Sequence, residues 1–324
     1  MDQELALEIM LDGHNVMLSG PAGSGKTYVL NQFIKLARGY GKSVAITATT
    51  GLAATHINGS TIHAWSGIGV LDFLPAKFYE NLSKNRIEQI EKADILVIDE
   101  ISMLHDFRLD MIDEITRSLR KNDKPFGGLQ VILCGDFFQL PPVNRTGREQ
   151  SGFVVNSAAY KNARVLVCYL NQQYRQDDDN YLDILNSIRA NDLRRKHVDA
   201  LLARRGIELQ DITELHTTNI DVDDINNARL AEVEGDEYAY EMLATGSNGY
   251  VESLKKSCLA NEVLKLKKSA LVMCIRNNPE KKYVNGSLGV VEGFEKLTNY
   301  PIVRLKNGRQ VTILPETWEL RDGD

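Results

Sequence analysis

"NVMLSGPAGSGKTYVLNQFIKLA", residues 15–37, is the stretch that decides the fold. Asn15 to Ser19 is a short apolar run of strand type. A glycine-rich turn follows. From about Lys26 to Ala37 apolar residues recur three and four apart, the spacing of an amphipathic helix. Inside this stretch "GPAGSGKT", Gly20 to Thr27, fits the Walker A pattern of glycine, four residues, then Gly-Lys-Thr. Glycines let backbone N–H groups wrap a phosphate with no Cβ in the way, and a helix opening at Lys26 adds its dipole and free amides. Gly20, Ala22, Gly23, Ser24 and Gly25 are the expected cradle. Lys26 is expected to reach the β- and γ-phosphates of ATP, and Thr27 to ligate Mg²⁺.

Outward from that turn, strands and helices alternate. Ser43 to Ala48 reads as a second strand, and Gly51 to Thr55 as a helix start. "DILVI" (94–98) is a continuous apolar run of the buried parallel type, Phe107 to Leu119 is an amphipathic helix, and Leu129 to Cys134 is another buried strand. Such alternation predicts an α/β fold, a parallel sheet with helices on both faces. Ligands in such sheets bind at the carboxyl ends of strands, so the residues just past each strand carry the chemistry. Asp99-Glu100 ends one strand: Asp99 can hold Mg²⁺, and Glu100 can orient and deprotonate an attacking water. The same pair would serve equally as an acidic loop capping the next helix. "LCGDFFQLPPV" (133–143) ends the next strand, and the Gln139 amide both donates and accepts, which suits a γ-phosphate sensor. Pro141-Pro142 would stiffen its exit.

The 324 residues are enough for two domains with cores of their own, and the net charge of −6 requires any nucleic-acid contact to be a local patch. Single cysteines at 134, 168, 258 and 274 and scattered histidines have no metal-ligand spacing, which predicts free thiols in a reducing compartment. No apolar run approaches the ~20 residues that span a bilayer, and Met1-Asp2-Gln3-Glu4 is not a signal peptide, so a soluble cytoplasmic protein with no membrane partner is expected. The expected organisation is an ATP-binding domain over 1–164, a second region over 165–280 and a small β subdomain over 281–324. Charge segregates in the second region: Ser187 to Arg205 holds six basic and two acidic residues, either a solvated face or a basic groove. In the last region Asn307-Gly308, between "PIVRLK" and "RQVTIL", predicts a type I′ hairpin.

"GPAGSGKT", "TATTGLAATHINGSTIHAWSGIG" (47–69), "LVIDEISM" (96–103), "GDFFQLPPV" (135–143), "LNQQYRQ" (170–176), "HTTN" (216–219) and "VNGSLGVV" (284–291) occur in that order. Together they resemble the Pif-type DNA helicases (petite integration frequency), RecD-like members of superfamily 1. The resemblance implies P-loop NTPase chemistry on two RecA-like domains, the second only partial here, with ATP between them. It also implies 5′-to-3′ movement on single-stranded DNA and unwinding at duplex junctions, powered by ATP and Mg²⁺. Arg175 then corresponds to an arginine that reaches the γ-phosphate, and Gln3 to a glutamine that reads adenine. Thr50, Gly51, Ser60, Thr61 and His63 fall in segments that touch DNA in the family. A helix start at Gly51 and the Thr50 hydroxyl suit a DNA phosphate, and the rings of His63 and Trp65 suit base stacking, although Trp65 apart from the resemblance reads as a core aromatic. Phe73, Phe78 and Tyr79 are candidates for a strand-separating pin. Two family motifs, "HKSQG"-like and "YVALSR"-like, do not occur in these 324 residues. A DNA-stimulated ATPase that separates no strands, or a slow nucleotide switch, remain alternatives.

Overall fold

The computed structural model describes residues 1–69, 71–143, 152–174, 178–207, 213–216, 219–246, 248–258, 260–278, 280 and 282–318. The chain forms two compact units that divide between Arg204 and Arg205.

The first unit is built on a six-stranded sheet in the order β3-β2-β4-β5-β1-β6. The strands are β1 (Val16–Ser19), β2 (Val44–Ala48), β3 (Ser60–Thr61), β4 (Ile95–Asp99), β5 (Gln130–Gly135) and β6 (Leu166–Tyr169). Every pairing between them is parallel. Alternation along the strands divides the core. Met17, Leu96, Ile98, Val131 and Leu133 face one side. Val16, Leu18, Ile95, Val97, Ile132 and Cys134 face the other. Central strands buried on both faces explain why "DILVI" has no polar alternation.

Helices cover both faces. On one side lie α1 (Gln3–Leu11) and α2 (Lys26–Gly39), which bury Ala6, Met10, Leu30 and Phe33. Asp2 caps α1 by accepting from Leu5 N at 2.9 Å. After β2 come α3 (Gly51–His56) and α4 (Ile62–Ser66). The opposite face carries α4, α5 (Lys84–Lys92), α6 (Asp106–Arg120) and α7 (Ala158–Asn162), through Ile62, Ile90, Leu109, Ile112 and Ala159. Asn15, just before β1, ties in β5 and β6 at their entry: its Oδ1 accepts from Val131 N and its main-chain O from Leu166 N, each at 2.8 Å, and its Nδ2 donates to Ala163 O at 2.9 Å. The unit ends with α8 (Asp179–Arg189) and α9 (Arg195–Leu202). Asp183 on α8 fixes that hairpin by accepting from Lys196 Nζ at 2.6 Å and by meeting the His197 ring at 3.0 Å.

The expected boundary at 164/165 is therefore corrected. The strand at 166–169 does not open a second domain. Its residues pair in parallel with Val16–Ser19 and complete the first sheet.

The second unit contains α10 (Asn219–Glu232), β7 (Glu237–Glu241), α11 (Asn248–Ser257) and β8 (Val263–Lys267), followed by β9 (Leu271–Met273), β10 (Leu288–Phe294), β11 (Pro301–Leu305) and β12 (Gln310–Thr312). β7 pairs antiparallel with β8, and β9 to β12 form an antiparallel sheet in the order β12-β11-β10-β9. A parallel RecA-like sheet is absent among the described residues of this unit. The small β sheet begins at Leu271, earlier than the expected 281. Its core is Tyr283, Val291, Val303, Leu305 and Val311, and Tyr238 stacks on Phe294 with ring centroids 3.7 Å apart. The Asn307-Gly308 turn is a hairpin, but of another type. A type I′ turn needs positive φ at both residues, and only Gly308 (φ 83°) has it. Leu305 N donates to Arg309 O and Gly308 N to Leu305 O, each at 2.8 Å, as in a type I turn closed by a glycine bulge.

Among the described residues no helix is long and apolar enough to cross a membrane.

Leu96 lies in a central strand with no exposed surface. Leu96→Ala is expected to lower unfolding free energy by about 2–5 kcal/mol in a denaturant titration, because the packed sheet face cannot collapse onto the cavity. A loss below about 1 kcal/mol would show that this face repacks.

Candidate nucleotide-hydrolysis site

The loop between β1 and α2 is built around positions that reject a side chain. A Cβ on Gly20 would lie 2.7 Å from Leu170 O and 2.8 Å from Ser24 Oγ. Gly25, the N-cap of α2, has φ 82°, and a Cβ there would meet Gln3 Nε2 at 2.1 Å. The Lys26 ammonium donates to Gly20 O at 2.9 Å and Pro21 O at 3.1 Å, folded over the loop it would serve. Thr27 follows in the first turn of α2. Ser24 Oγ is buried and has no hydrogen-bond partner among the described residues. A buried hydroxyl with no partner is costly unless something else satisfies it.

Two neighbouring segments border this loop. Gln3 donates from Nε2 to Ser24 O at 3.1 Å, so the expected adenine reader does sit beside the phosphate loop, in the first turn of α1. Across from it, Leu170 N donates to Ser19 O at 2.8 Å and Tyr174 N to Gly23 O at 2.9 Å. The exposed Tyr174 ring therefore flanks Gly25 as Gln3 does. Sequence reasoning passed over Tyr174, although an aromatic residue directly before Arg175 was visible. Arg175 itself lies outside the described residues.

The acidic pair occupies the carboxyl end of β4. Asp99 is buried and its Oδ1 accepts from Glu100 N at 2.9 Å. Glu100 has left-handed backbone angles (φ 53°, ψ 41°), a conformation that costs of order 1 kcal/mol outside glycine and is typical of residues held at a site. Its carboxyl is raised above the ordinary glutamate range, first by burial, then by the Asp99 charge, with Lys26 opposing and Asp136 adding. Asp99, Lys26 and Asp136 therefore all lie near enough to act on the Glu100 carboxyl at one edge of the sheet. Cys134, one residue before the end of β5, lies against Asp99, and burial followed by that carboxylate pushes its thiol well up. The β2 exit is tied to the same place: Thr49 N donates to Asp99 O at 3.1 Å and Thr49 Oγ1 to Glu100 O at 2.9 Å.

Gln139 emerges at the expected edge, past β5. Its Nε2 donates to Asp136 Oδ2 at a long 3.4 Å, and its backbone N to Asp136 O at 2.9 Å. Asp136 is buried and receives the Arg189 guanidinium at two points, each 2.7 Å. Burial disfavours its charge, but the paired guanidinium and the Phe138 amide outweigh that and hold its carboxyl below the ordinary range. The sequence reading missed this pair, because Asp136 and Arg189 are 53 residues apart and neither stands in a spacing that points to the other.

The expected DNA segment is partly corrected. Trp65 is 7% exposed and packs in the core with Ile62 and Ile68, so its ring is not a stacking platform. The cause is helical spacing: Ile62 and Trp65 share the face of α4 that turns to the sheet. The His63 ring Nε2 lies 2.9 Å from Arg108 Nη1. Burial, then the Arg108 and His105 charges, lower its pKa to about 4. The ring is neutral at physiological pH and engaged with Arg108. Thr50 Oγ1 accepts from Ala53 N at 3.2 Å at the start of α3, where Gly51 is the first residue. Thr61 Oγ1 caps α4 by accepting from Ala64 N at 3.1 Å. Ser60 is exposed. Of the three pin candidates, Phe78 is buried, Tyr79 packs edge-on against it, and Phe73 is 72% exposed.

Two substitutions test the site. Lys26→Ala is expected to weaken ATP binding at least about tenfold in a fluorescent-nucleotide titration, since a charge-assisted phosphate contact is lost. Unchanged affinity would remove the phosphate site. Glu100→Gln is expected to retain nucleotide affinity while hydrolysis falls by about 10²–10⁴-fold, the usual contribution of a general base. Hydrolysis at the unsubstituted rate would exclude Glu100 from that role.

Comparison with known proteins agrees with this geometry. Residues 3–194 match the profile of the PIF1-like helicases, and residues 249–294 match that of the 2B domain of DNA helicase Pif1. The chain is 38% identical to the ATP-dependent DNA helicase Pif1 of Psychrobacter sp. (strain PRwf-1), over 99% of this chain and 58% of that protein. It is 38% identical to the ATP-dependent DNA helicase RRM3 of Saccharomyces cerevisiae, over 94% of this chain and 43% of that one. The chain thus spans about half the length of these curated relatives. The crystal structure of Pif1 helicase from Candida albicans superimposes with a TM-score of 0.82 at 32% identity, over 99% of this chain and 80% of that one. A Bacteroides Pif1 helicase in complex with ADP-AlF3 and single-stranded DNA gives a TM-score of 0.69 at 31% identity, over 95% and 72%. On these matches, with the phosphate loop, the acidic strand end and the Asp136–Gln139 loop at one sheet edge, the chain belongs to the PIF1-like helicase family.

Proposed function

We propose that this chain is the motor portion of an ATP-dependent DNA helicase, which couples ATP hydrolysis to 5′-to-3′ movement on single-stranded DNA and to unwinding at duplex junctions. The observation that carries the reading is that β1, β4 and β5 pair in parallel, so the glycine loop with Lys26, the Asp99-Glu100 pair and the Asp136–Gln139 loop leave the sheet at one edge. The curated relatives named as ATP-dependent DNA helicases, and the Bacteroides relative bound to ADP-AlF3 and single-stranded DNA, support the choice of substrate.

The residues present fit a nucleoside triphosphate. A Cβ on Gly20 or Gly25 would meet neighbouring atoms, the buried Ser24 hydroxyl has no partner among the described residues, and Lys26 stands over the loop on exchangeable carbonyl contacts. In the reading, loop amides from Gly20 to Gly25 wrap the phosphates, and Lys26 transfers its hydrogen bonds from Gly20 O and Pro21 O to phosphate oxygens. Thr27 and Asp99 would hold Mg²⁺, which supplies charge neutralisation at the β- and γ-phosphates. Glu100 takes a proton from the attacking water. The new O–P bond forms at the γ-phosphorus, and the bond to the bridging oxygen breaks with its electron pair leaving on ADP. Burial raises Glu100 toward the working pH, which makes it a stronger base. Gln139 leaves its long contact with Asp136 to bridge the γ-phosphate or its water.

The hydrogen bonds of Thr49 to Asp99 and Glu100 supply a short route toward the DNA-facing segment, because Thr50 and Gly51 follow directly. Thr50, Gly51, Ser60 and Thr61 are the proposed DNA contacts, through phosphates rather than through stacked bases. Arg175 retains its proposed γ-phosphate role on family resemblance alone. A DNA substrate and four free cysteines suit a cytoplasmic or nucleoid setting.

The test is the ATP hydrolysis rate with and without single-stranded DNA, with Lys26→Ala as control. Strong stimulation by DNA is expected, and Gln139→Ala is expected to lose most of it while nucleotide affinity stays within about threefold, because the amide acts on the transition state rather than on ground-state binding. Hydrolysis indifferent to DNA would favour a nucleotide switch. Stimulation without strand separation on a forked duplex would favour a translocase.

A further inference from the structure

We propose that Arg189 is a positioning residue for ATP hydrolysis, acting through Asp136 to aim the side-chain amide of Gln139. The inference rests on the reading of this site as ATP-hydrolysing.

Arg189 is the last residue of α8, on an element with no part in the phosphate loop. Its guanidinium closes a two-point fork on Asp136, Nη1 to Oδ2 and Nη2 to Oδ1, each at 2.7 Å. The two side chains are 19% and 2% exposed, so this is not a surface pair that solvent weakens. The rest of the arginine is also held. It lies over the Phe138 ring at 4.3 Å and near the Tyr169 ring at 6.0 Å, and its Nε donates to Tyr169 Oη at 3.3 Å. Phe138 and Tyr169, both partly exposed, thereby serve as walls for one guanidinium.

Asp136 in turn shapes the loop. Its Oδ1 accepts from Phe138 N at 3.1 Å, its main-chain carbonyl from Gln139 N at 2.9 Å, and its Oδ2 from Gln139 Nε2 at 3.4 Å. The last contact is long and weak, whereas the arginine fork is short and charge-assisted. The Gln139 amide can therefore exchange Asp136 for a phosphate oxygen while Asp136 stays in place. Arg189 has a second consequence. Asp136 is close enough to influence Lys26 and Glu100. Without the guanidinium it would present an unneutralised carboxylate beside a triphosphate and compete for Lys26. One residue thus fixes the aim of the sensor and keeps a neighbouring anion from opposing the substrate.

The experiment is a double-mutant cycle in ATP hydrolysis with saturating single-stranded DNA, using Arg189→Ala, Gln139→Ala and the pair. Arg189→Ala is expected to lower kcat about tenfold or more, with KM for ATP within about threefold, as for a group that acts only on the transition state. The pair is expected to hydrolyse ATP no slower than the slower single variant, within about twofold, because an absent amide cannot be misaimed. Arg189→Lys keeps the charge and loses the fork, so it should fall between the unsubstituted chain and Arg189→Ala. It carries the same cycle if thermal unfolding shows that Arg189→Ala does not fold. Losses that multiply in the pair, a loss confined to KM, or an unchanged kcat would each overturn the inference. Lys26→Ala and Glu100→Gln run in the same assay separate the two levels. If both hydrolyse at the unsubstituted rate, the reading of the site fails and the inference with it. If both are inactive while the losses multiply, the positioning role alone fails.

Discussion

Parallel pairing of β1 with both β5 and β6, and of β4 with both β2 and β5, is the constraint on which everything else depends. Strands that all run one way end on one edge. Ser19, Ala48, Asp99 and Gly135 therefore finish together, and the phosphate loop, the Thr49 tether, the acidic pair and the Asp136–Gln139 loop emerge side by side. Antiparallel pairing of any of these strands would send its loop to the far edge. The helices on the two faces bury both sides of the sheet that carries this edge.

Close backbone approach refines that edge. A Cβ on Gly135 would stand 2.9 Å from Ile101 N, so the end of β5 packs directly against the turn after Glu100. Glu100 keeps a left-handed backbone in that turn, and Thr49 accepts the cost of fixing it by donating to its carbonyl. Strain of this kind persists only where the surroundings over-determine it. Here the surroundings are β2, β4 and β5 together.

Much of this was legible beforehand. Walker A glycines have a local reason that a sequence displays, since backbone wrapping demands them wherever the loop sits. "DILVIDE" likewise declares a strand buried on both faces that ends in carboxylates. The failures have physical causes as well. Trp65 is assigned to base stacking by the family resemblance, whereas its residue type alone favours the core position it takes. The strand at 166–169 read as the start of a new domain because a strand followed by an amphipathic helix resembles a fresh unit, and partners in a sheet are not neighbours in sequence. Asn307-Gly308 read as a type I′ turn because the dipeptide permits several turns, and the pairing of Leu305 with Arg309 selects among them.

The sequence by itself determined the phosphate loop, the acidic strand end, the α/β alternation and the family, because each depends on residues within about ten positions of one another or on a string of motifs in order. Tertiary structure alone decided that Asp136 is the hub of the loop that carries Gln139, that Arg189 on a later helix holds it, and that His63 faces Arg108. Those contacts join residues 45 and 53 positions apart. Burial makes such pairs specific, since a carboxylate removed from water must find its partner wherever the fold brings one.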